Sequence, residues 1–306
     1  MEFLMTLDVE SFSIPLNRCD PSMASKVSEI GIPAVMDVLA KYDVKATFYF
    51  TGEFVELSPE ALDTVADHDH EIGCHGYDHT PDRAFDILSY EEQLMELKRA
   101  KRLIENTSGK KIRSFRAPML RINEDTVRAL EKVGFKTDSS VCPQRFDGPF
   151  TFGSKRKIGW LLAPRKPYYL SKESVFRRGD SNILEIPISA MILPLIGTTI
   201  RIMPNILKML RKILYLESKA SGKPIVLLFH PNECIDRDKV EVTKRAKDPI
   251  TFLFADLIRQ RLKLRNLGKK AIHLIDEVLK SAKNFGFDFV SADGFRRIYD
   301  GGLRTR

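Results

Sequence analysis

The feature that most constrains the fold is an alternation of short apolar runs with helical patterns over residues 1–140. Residues 2–8 and 45–51 are rich in β-forming side chains, and the segment between them has apolar residues at helical spacing after Pro33. Strands that alternate with helices pair in parallel. The sequence therefore predicts an α/β fold built on a parallel sheet or barrel.

Capping patterns predict where individual helices begin and end. Ser89 and Glu92 have the spacing of a capping box, which opens a long helix that Gly109 closes. Ser58 is predicted to cap another helix, with Pro59 in its first position.

The alternation stops at about residue 141. A stretch rich in Pro, Gly and aromatic residues follows over 141–182, and such a long irregular segment predicts a cap over a site. Apolar runs at 182–189 and 224–230 resume the strands. We therefore predict one domain over 1–306, with a cap at about 141–182 and a basic helical C-terminal region at about 232–286.

Composition predicts a cytoplasmic globular protein. A hydrophobic content of 43% in 306 residues suffices for a full core, and no apolar run reaches the ~18–20 residues of a membrane span. The N-terminal residues lack the basic region and cleavage site of a signal peptide. The four cysteines are scattered without a CxxC pair, which favours reduced thiols.

Charge is distributed unevenly along the chain. Residues 1–150 carry 18 basic and 26 acidic side chains, a net −8, whereas residues 151–306 carry 31 and 15, a net +16. A basic half suggests an anionic partner, either a phosphate-bearing substrate, an anionic membrane or a nucleic acid, or else a solvated basic surface. A nucleic-acid partner is disfavoured because the positive charge is spread along the sequence and no known nucleic-acid-binding motif is present. The apolar segment 192–218 carries basic residues, so it fits either a core and lid element or a helix at a bilayer surface.

Polar side chains follow the ends of four predicted strands. They are Asp8 with Glu10, His75 with His79, Arg116, and His230. In parallel α/β barrels, reactive groups gather at the carboxyl ends of the strands. A carboxylate and two histidines would form a metal site with open positions, although a His-x3-His pair by itself is a weak signal. Ordinary strand ends, a structural ion pair at Arg116 and a core histidine at His230 are the alternatives.

Four segments in order resemble the NodB-type polysaccharide deacetylases, carbohydrate esterase family four. They are TLDVE, HEIGCHGYDHT, FRAPMLR and LLFHPNE. Together with TDSSVCP, APRKPY and EIPIS, they most resemble the exosortase-associated and allantoinase-like branch. The resemblance implies a distorted (β/α) barrel of about seven strands, and it implies a role for each matching residue.

By that resemblance, Asp8 is the general base for a water activated by a metal ion, and His75 and His79 are ligands of that ion. Arg116 keeps the base ionised, and His230 is the general acid that protonates the leaving amine.

The resemblance also implies that the backbone N–H of Met119 stabilises the oxyanion and that Leu228 lines the acyl pocket. Val9 separates Asp8 from Glu10, whereas the family pattern has two adjacent aspartates. Because residues i and i+2 of a strand share one side, we take Glu10 as the third metal ligand, with Asp8 as the alternative. The family's Asp-Trp motif is missing, and Asp138 is a candidate for tuning an acid or an arginine.

The predicted function is hydrolysis of an N-acyl group, acetyl above all, from an amino sugar with one divalent metal ion. Zinc is the first expectation, and cobalt and iron(II) accept the same ligands. An allantoinase-like cyclic amidohydrolase and a degenerate carbohydrate-binding homologue are the alternatives. The basic half and segment 192–218 add the hypothesis of a lipid-linked sugar at the inner membrane face. The sequence does not predict the oligomeric state.

Overall fold

The computed structural model describes residues 1–144, 159–236 and 260–304, and all bounds below refer to these residues. The strands are β1 Glu2–Val9, β2 Phe12–Ser13, β3 Arg18–Cys19, β4 Ala46–Phe50, β5 Glu71–Cys74, β6 Ser114–Phe115, β7 Thr137–Asp138, β8 Tyr168–Tyr169, β9 Leu184–Glu185, β10 Ala190–Met191, β11 Leu193–Pro194, β12 Ile225–Phe229 and β13 Asp288–Phe289. The α-helices are α1 Ser22–Lys26, α2 Ile32–Lys41, α3 Gly52–Leu57, α4 Glu60–Ala66, α5 Tyr90–Ser108, α6 Glu124–Val133, α7 Gly197–Ile202, α8 Pro204–Ser221, α9 Gln260–Lys263, α10 Lys269–Phe285 and α11 Ala292–Arg304.

A curled sheet forms the centre of the fold. Seven strands pair in parallel in the order β12-β1-β4-β5-β6-β7-β9, β8 joins β9 antiparallel, and β13 pairs with the start of β1. The two ends of the curl meet after β9, where the Ser189 N–H donates to Val226 O and the Val226 N–H donates to Ser189 Oγ. At this junction these two hydrogen bonds take the place of regular pairing between strands. The predicted α/β fold, a distorted barrel of about seven strands, is confirmed.

The sheet is buried on both faces, which explains the apolar runs that predicted its long strands. Because side chains alternate along β1, Phe3, Met5 and Leu7 pack under the helices, whereas Leu4 faces the barrel interior. Leu4 belongs to a small interior cluster with Leu184, Ile186, Val226, Ala292 and Phe295. The interior is therefore apolar at the amino ends of the strands, and polar side chains follow towards their carboxyl ends.

Of the two helices predicted from capping patterns, one has the predicted boundaries and one does not. Helix α5 begins with the Ser89–Glu92 capping box and ends at Gly109, whose left-handed backbone (φ 65°) favours glycine. The predicted cap at Ser58 is wrong, because Ser58 instead ends α3 and Pro59 precedes α4 without a side-chain cap.

The predicted cap segment is described only outside residues 145–158. In residues 159–182, β8 extends the sheet, and Trp160, Tyr168 and Leu170 are buried in the main core. Among the residues that the structure describes, no helix is both long enough and apolar enough to cross a membrane.

Candidate active site

The polar side chains predicted from the strand ends converge on the inner face of the sheet. Asp8 and Glu10 continue the inward series of β1 that starts with Leu4 and Thr6, since they lie two and four residues after Thr6. His75 follows β5, Arg116 follows β6 and His230 follows β12, each directly after its last residue. Parallel strands end at the same edge, so these groups meet at the mouth of the barrel.

Arg116 fixes the Asp8 carboxylate. Its Nη1 donates to Asp8 Oδ1 at 2.8 Å, while Nε and Nη2 donate to Ser139 O and Oγ at 2.8 and 2.7 Å. Burial raises the pKa of Asp8, but the Arg116 guanidinium and the neighbouring histidines outweigh it and hold that pKa below its ordinary value. Asp8 is therefore an ionised carboxylate with its second oxygen turned towards the histidines.

The Tyr49 ring packs against the arginine of this pair. The Arg116 guanidinium lies 4.6 Å from the centre of the Tyr49 ring, a cation–π contact. A Cβ on Gly73 would come within 2.6 Å of the same ring, so glycine at this strand position makes room for it.

Glu10, His75 and His79 form a group that fits a metal ion. Their ligand atoms all lie within 4.8 Å of one another. Glu10 Oε2 is 3.1 Å from His79 Nε2 and 3.8 Å from His75 Nε2. Glu10 and His75 are buried, and His79 is 15% exposed on the side of the mouth. One carboxylate and two imidazoles at this spacing leave coordination positions open.

The hydrogen bonds of the two histidines show that the Nε2 atom of each ring near Glu10 is an acceptor. His75 Nδ1 donates to Arg116 O at 2.8 Å, so its Nε2 carries no proton when the ring is neutral, and this nitrogen has no hydrogen-bond partner. His79 Nε2 accepts from the Met119 N–H at 3.2 Å, so it too is unprotonated. Glu10 Oε2 is likewise buried without a donor. Converging acceptors of this kind fit a bound cation.

The pKa shifts of His75, His79 and Glu10 are also consistent with a bound cation. Burial lowers the pKa of His75, and burial together with the nearby His230 lowers the pKa of His79 to about 4. Both rings are therefore neutral at physiological pH, as metal ligands must be. Burial raises the pKa of Glu10, and a cation beside it would favour the ionised form.

His230 lies across the cluster from His75 and His79, and its pKa is raised whereas theirs are lowered. Its Nε2 is 3.9 Å from both Asp8 Oδ2 and Glu10 Oε1, and its Nδ1 is 3.2 Å from Glu233 Oε1. Burial lowers the pKa of His230, but the hydrogen bond to Glu233 and the nearby carboxylates raise it to about 9. His230 is thus the protonated imidazole of the site.

Glu233 and Arg201 were not predicted from the sequence. Glu233 lies in the turn Pro231–Cys234, and its second oxygen accepts a hydrogen bond from Arg201 Nε on α7. Both side chains are 1% exposed. Burial raises the pKa of Glu233, but the Arg201 charge brings it below its ordinary value, so the group stays ionised. The only sequence signal was the three-residue spacing in HPNE, which puts the carboxylate one turn after the histidine.

Two further residues from the sequence prediction, Met119 and Leu228, lie beside the cluster. The Met119 N–H contacts the cluster through His79. Leu228 is buried two residues before His230, so it faces the same side of β12.

Asp138 lies on the other face of the sheet. The strand register pairs it with Phe115, whose ring packs against Phe85 and Phe135 under the helices. The structure therefore does not bring Asp138 into the cluster. Its carboxyl group faces Glu185 instead, in register on β9.

Comparisons with known proteins agree with this geometry. Residues 27–137 match the model of the polysaccharide deacetylase family, a segment that contains His75, His79, Arg116 and Met119. A peptidoglycan deacetylase of Helicobacter pylori is 31% identical over 127 residues, which are 42% of this chain and 42% of the relative. Over this segment the chain is therefore similar to polysaccharide deacetylases, and the chain spans less than half of the length of this relative. Asp8, Glu10, His230 and Glu233 lie outside the segment that matches the family model.

Two solved structures share the fold over most of the chain. A probable polysaccharide deacetylase of Pseudomonas aeruginosa aligns with a TM-score of 0.61 at 14% identity, over 97% of this chain and 90% of that one. The allantoinase Puue aligns with a TM-score of 0.62 at 14% identity, over 97% and 89%. At this identity the likeness concerns the fold alone, which deacetylases share with an allantoinase.

Proposed function

We propose that this protein is a metal-dependent deacetylase that removes an N-acetyl group from an amino sugar. The observation that carries the proposal is the buried cluster in which an ionised aspartate, two neutral histidines, a glutamate and a protonated histidine meet at one mouth. Amide hydrolysis requires a base for water, a stabiliser for the oxyanion and an acid for the amine. The cluster supplies one group for each need.

Glu10, His75 and His79 would hold a divalent ion, zinc in the first place. When bound, such an ion polarises the carbonyl and makes a neighbouring water more acidic. The ligand set also accepts cobalt and iron(II).

Asp8 acts as the base. Its Oδ1 is held by Arg116 Nη1, so Oδ2 is the oxygen that takes a proton from the attacking water. The ion pair with Arg116 keeps this carboxylate ionised before attack and orients it. The Met119 N–H donates to His79 Nε2, and a metal ion bound at that nitrogen would displace this hydrogen bond, so we assign the released N–H to the oxyanion.

His230 acts as the acid. Its Nε2 faces the cluster while Nδ1 donates to Glu233, so the proton available for the leaving amine sits on Nε2. Glu233 fixes the ring orientation and keeps the imidazolium charged. Leu228, on the same side of β12, would contact the methyl group of the acetyl moiety.

The substrate class follows from the relatives. The Helicobacter relative is named a peptidoglycan deacetylase, and a relative in Azorhizobium caulinodans is named a chitooligosaccharide deacetylase, 29% identical over 121 residues. The matched segments span about half of these relatives or less, so the substrate is carried over as part of the proposal. The DVE and HPNE segments are the basis on which we place the chain in the exosortase-associated and allantoinase-like branch. The cytoplasm remains a prediction for its compartment.

Acetate release from a panel of substrates tests the proposal. The zinc-loaded protein is incubated with N-acetylated chitooligosaccharides, peptidoglycan fragments and allantoin; acetate and new primary amines are quantified for the sugars, and the ring-opened ureido acid is quantified for allantoin. We expect acetate and amine in equal amounts from a sugar substrate, and loss of both after chelation. Turnover of allantoin alone would favour the cyclic amidohydrolase, and no turnover of any substrate by the metal-loaded protein would favour a carbohydrate-binding homologue.

A further inference from the structure

Helix α8, Pro204–Ser221, is apolar on two sides. Its inner side packs on the barrel through Leu207, Leu210, Leu214 and Tyr215, which are at most 8% exposed. Its outer side also carries large apolar residues. We call these the α8 stripe: Ile206, Met209, Ile213 and Leu216, which are 48%, 58%, 42% and 60% exposed.

The stripe is continuous along the helix. Its members are three or four residues apart, the spacing that puts side chains in one row on a helix surface. Met203 just before the helix is 36% exposed, and Ile192 at the turn between β10 and β11 is 69% exposed. On the other helices that the structure describes, exposed large apolar residues stand singly, such as Met95 on α5 and Ile298 on α11. Single residues are ordinary on a protein surface, whereas a row of this length marks an interaction surface.

Lysines border the stripe. Lys208, Lys212 and Lys219 are exposed, and their spacing of four and seven residues places them in a second row beside the first. At the opposite border Glu217 is already paired with Arg165 and Lys223. The outer side of α8 thus combines an apolar row with a row of positive charge and has no unpaired acidic group to repel an anionic surface.

The position of α8 relates this surface to the barrel mouth. The helix leads into β12 through a short connection at residues 222–224, so it runs antiparallel to that strand. Its N-terminal end, with Met203 and Ile206, therefore lies at the end of the barrel where β12 delivers His230. Helix α7, directly before it, carries the Arg201 that binds Glu233.

We propose that the α8 stripe and its lysines bind the surface of an anionic lipid bilayer. Apolar side chains would enter the headgroup region while the lysines contact negative headgroups, as in helices that lie in a membrane interface. A second copy of this chain fits the surface less well, since the lysine row meets no acidic row on the stripe. Binding at this surface does not depend on the chemistry of the barrel site, so the two proposals fail separately.

Vesicle flotation tests the bilayer proposal. The full chain is floated with vesicles of phosphatidylcholine alone and with vesicles that contain about one third phosphatidylglycerol. We expect binding to the anionic vesicles only, weakened by added salt because the lysine contacts are screened. The double variant Met209→Glu/Ile213→Glu should bind at least about tenfold more weakly, and Lys208→Gln/Lys212→Gln should lose binding mainly at low salt.

Met95→Glu provides the matched control, because it places a glutamate at an equally exposed apolar position on another helix. Sedimentation velocity of the same proteins reports their oligomeric state, and circular dichroism confirms that each variant is folded. Absence of flotation with anionic vesicles would overturn the proposal, as would an equal loss in Met95→Glu. Dimers that dissociate in the Met209→Glu/Ile213→Glu variant, without vesicle binding, would assign the stripe to a second copy instead.

Discussion

Two pairs of buried carboxyl groups lie near the carboxyl ends of the same sheet, on opposite faces. Asp8 and Glu10 face the barrel interior, whereas Asp138 and Glu185 face the helices. The inner pair has an arginine and three histidines around it. The outer pair has the Ser140 hydroxyl, at 2.5 Å from Asp138 Oδ1, and the Val141 N–H, at 2.9 Å from Glu185 Oε1, and the Arg116 charge offsets only part of the effect of burial on the pKa of Asp138.

The difference in surroundings gives the two aspartates opposite acidities. Burial raises the pKa of both, but Arg116 reverses the effect at Asp8, while the pKa of Asp138 rises to about 6. Burial and the neighbouring Asp138 also raise the pKa of Glu185, so the outer pair keeps a proton at higher pH than two free carboxyl groups would. The same residue type is thus a stronger acid than usual on one face of the sheet and a weaker acid than usual on the other.

The largest expected effect is on activity. Asp8→Asn removes the base, and we expect kcat to fall by about 10²–10⁴-fold. Asp138→Asn changes a group outside the cluster, so we expect its kcat to stay within about threefold of the wild type. Initial rates of acetate release for both variants measure the contrast. Equal losses in the two variants would contradict the assignment of the base to the inner pair.

A smaller loss of kcat is expected when Glu233 no longer orients the general acid His230. Glu233→Gln weakens the acceptor for His230 Nδ1, and we expect kcat to fall by about tenfold or more, or ~1.4 kcal/mol, with KM within about twofold. Glu217→Gln serves as control, since Glu217 pairs with Arg165 and Lys223 beside α8. A rise in KM with unchanged kcat would show that Glu233 acts in substrate binding instead.

The outer pair should control the pH dependence of stability. The pKa of Asp138 is raised in the folded state, so between about pH 4 and 6 the folded chain binds more protons than the unfolded chain. The free energy of unfolding from this group is therefore highest at low pH and falls as pH rises through that window, by on the order of 1–3 kcal/mol.

Urea unfolding of the wild type and Asp138→Asn at several pH values checks the sign. The wild type should lose stability relative to the variant as pH rises from 4 to 6, because asparagine does not ionise. A difference that grows in the opposite direction would mean that folding lowers the pKa of Asp138 instead of raising it.

The sequence predicted much of the fold, and it named most of the side chains that the structure brings together at the barrel mouth. Long buried strands such as β1 and β12 are apolar runs, and the polar residue that ends each run identified Asp8 and His230. Two-residue strands such as β7 and β9 carry little pattern of their own. The face on which Asp138 lies depends on its register with Phe115, and register follows from tertiary packing rather than from local sequence. Arg201 was missed for a related reason, since its partner Glu233 is distant along the chain.

Zinc binding to two matched variants tests the central claim most directly. Glu10→Gln and Glu185→Gln each neutralise one carboxyl group, the first on the inner face and the second on the outer face of the sheet. Calorimetric titration of the metal-free proteins should give one zinc per chain for the wild type and for Glu185→Gln, with an affinity at least about 100-fold weaker for Glu10→Gln. Zinc binding by Glu10→Gln with wild-type stoichiometry and affinity would contradict the account.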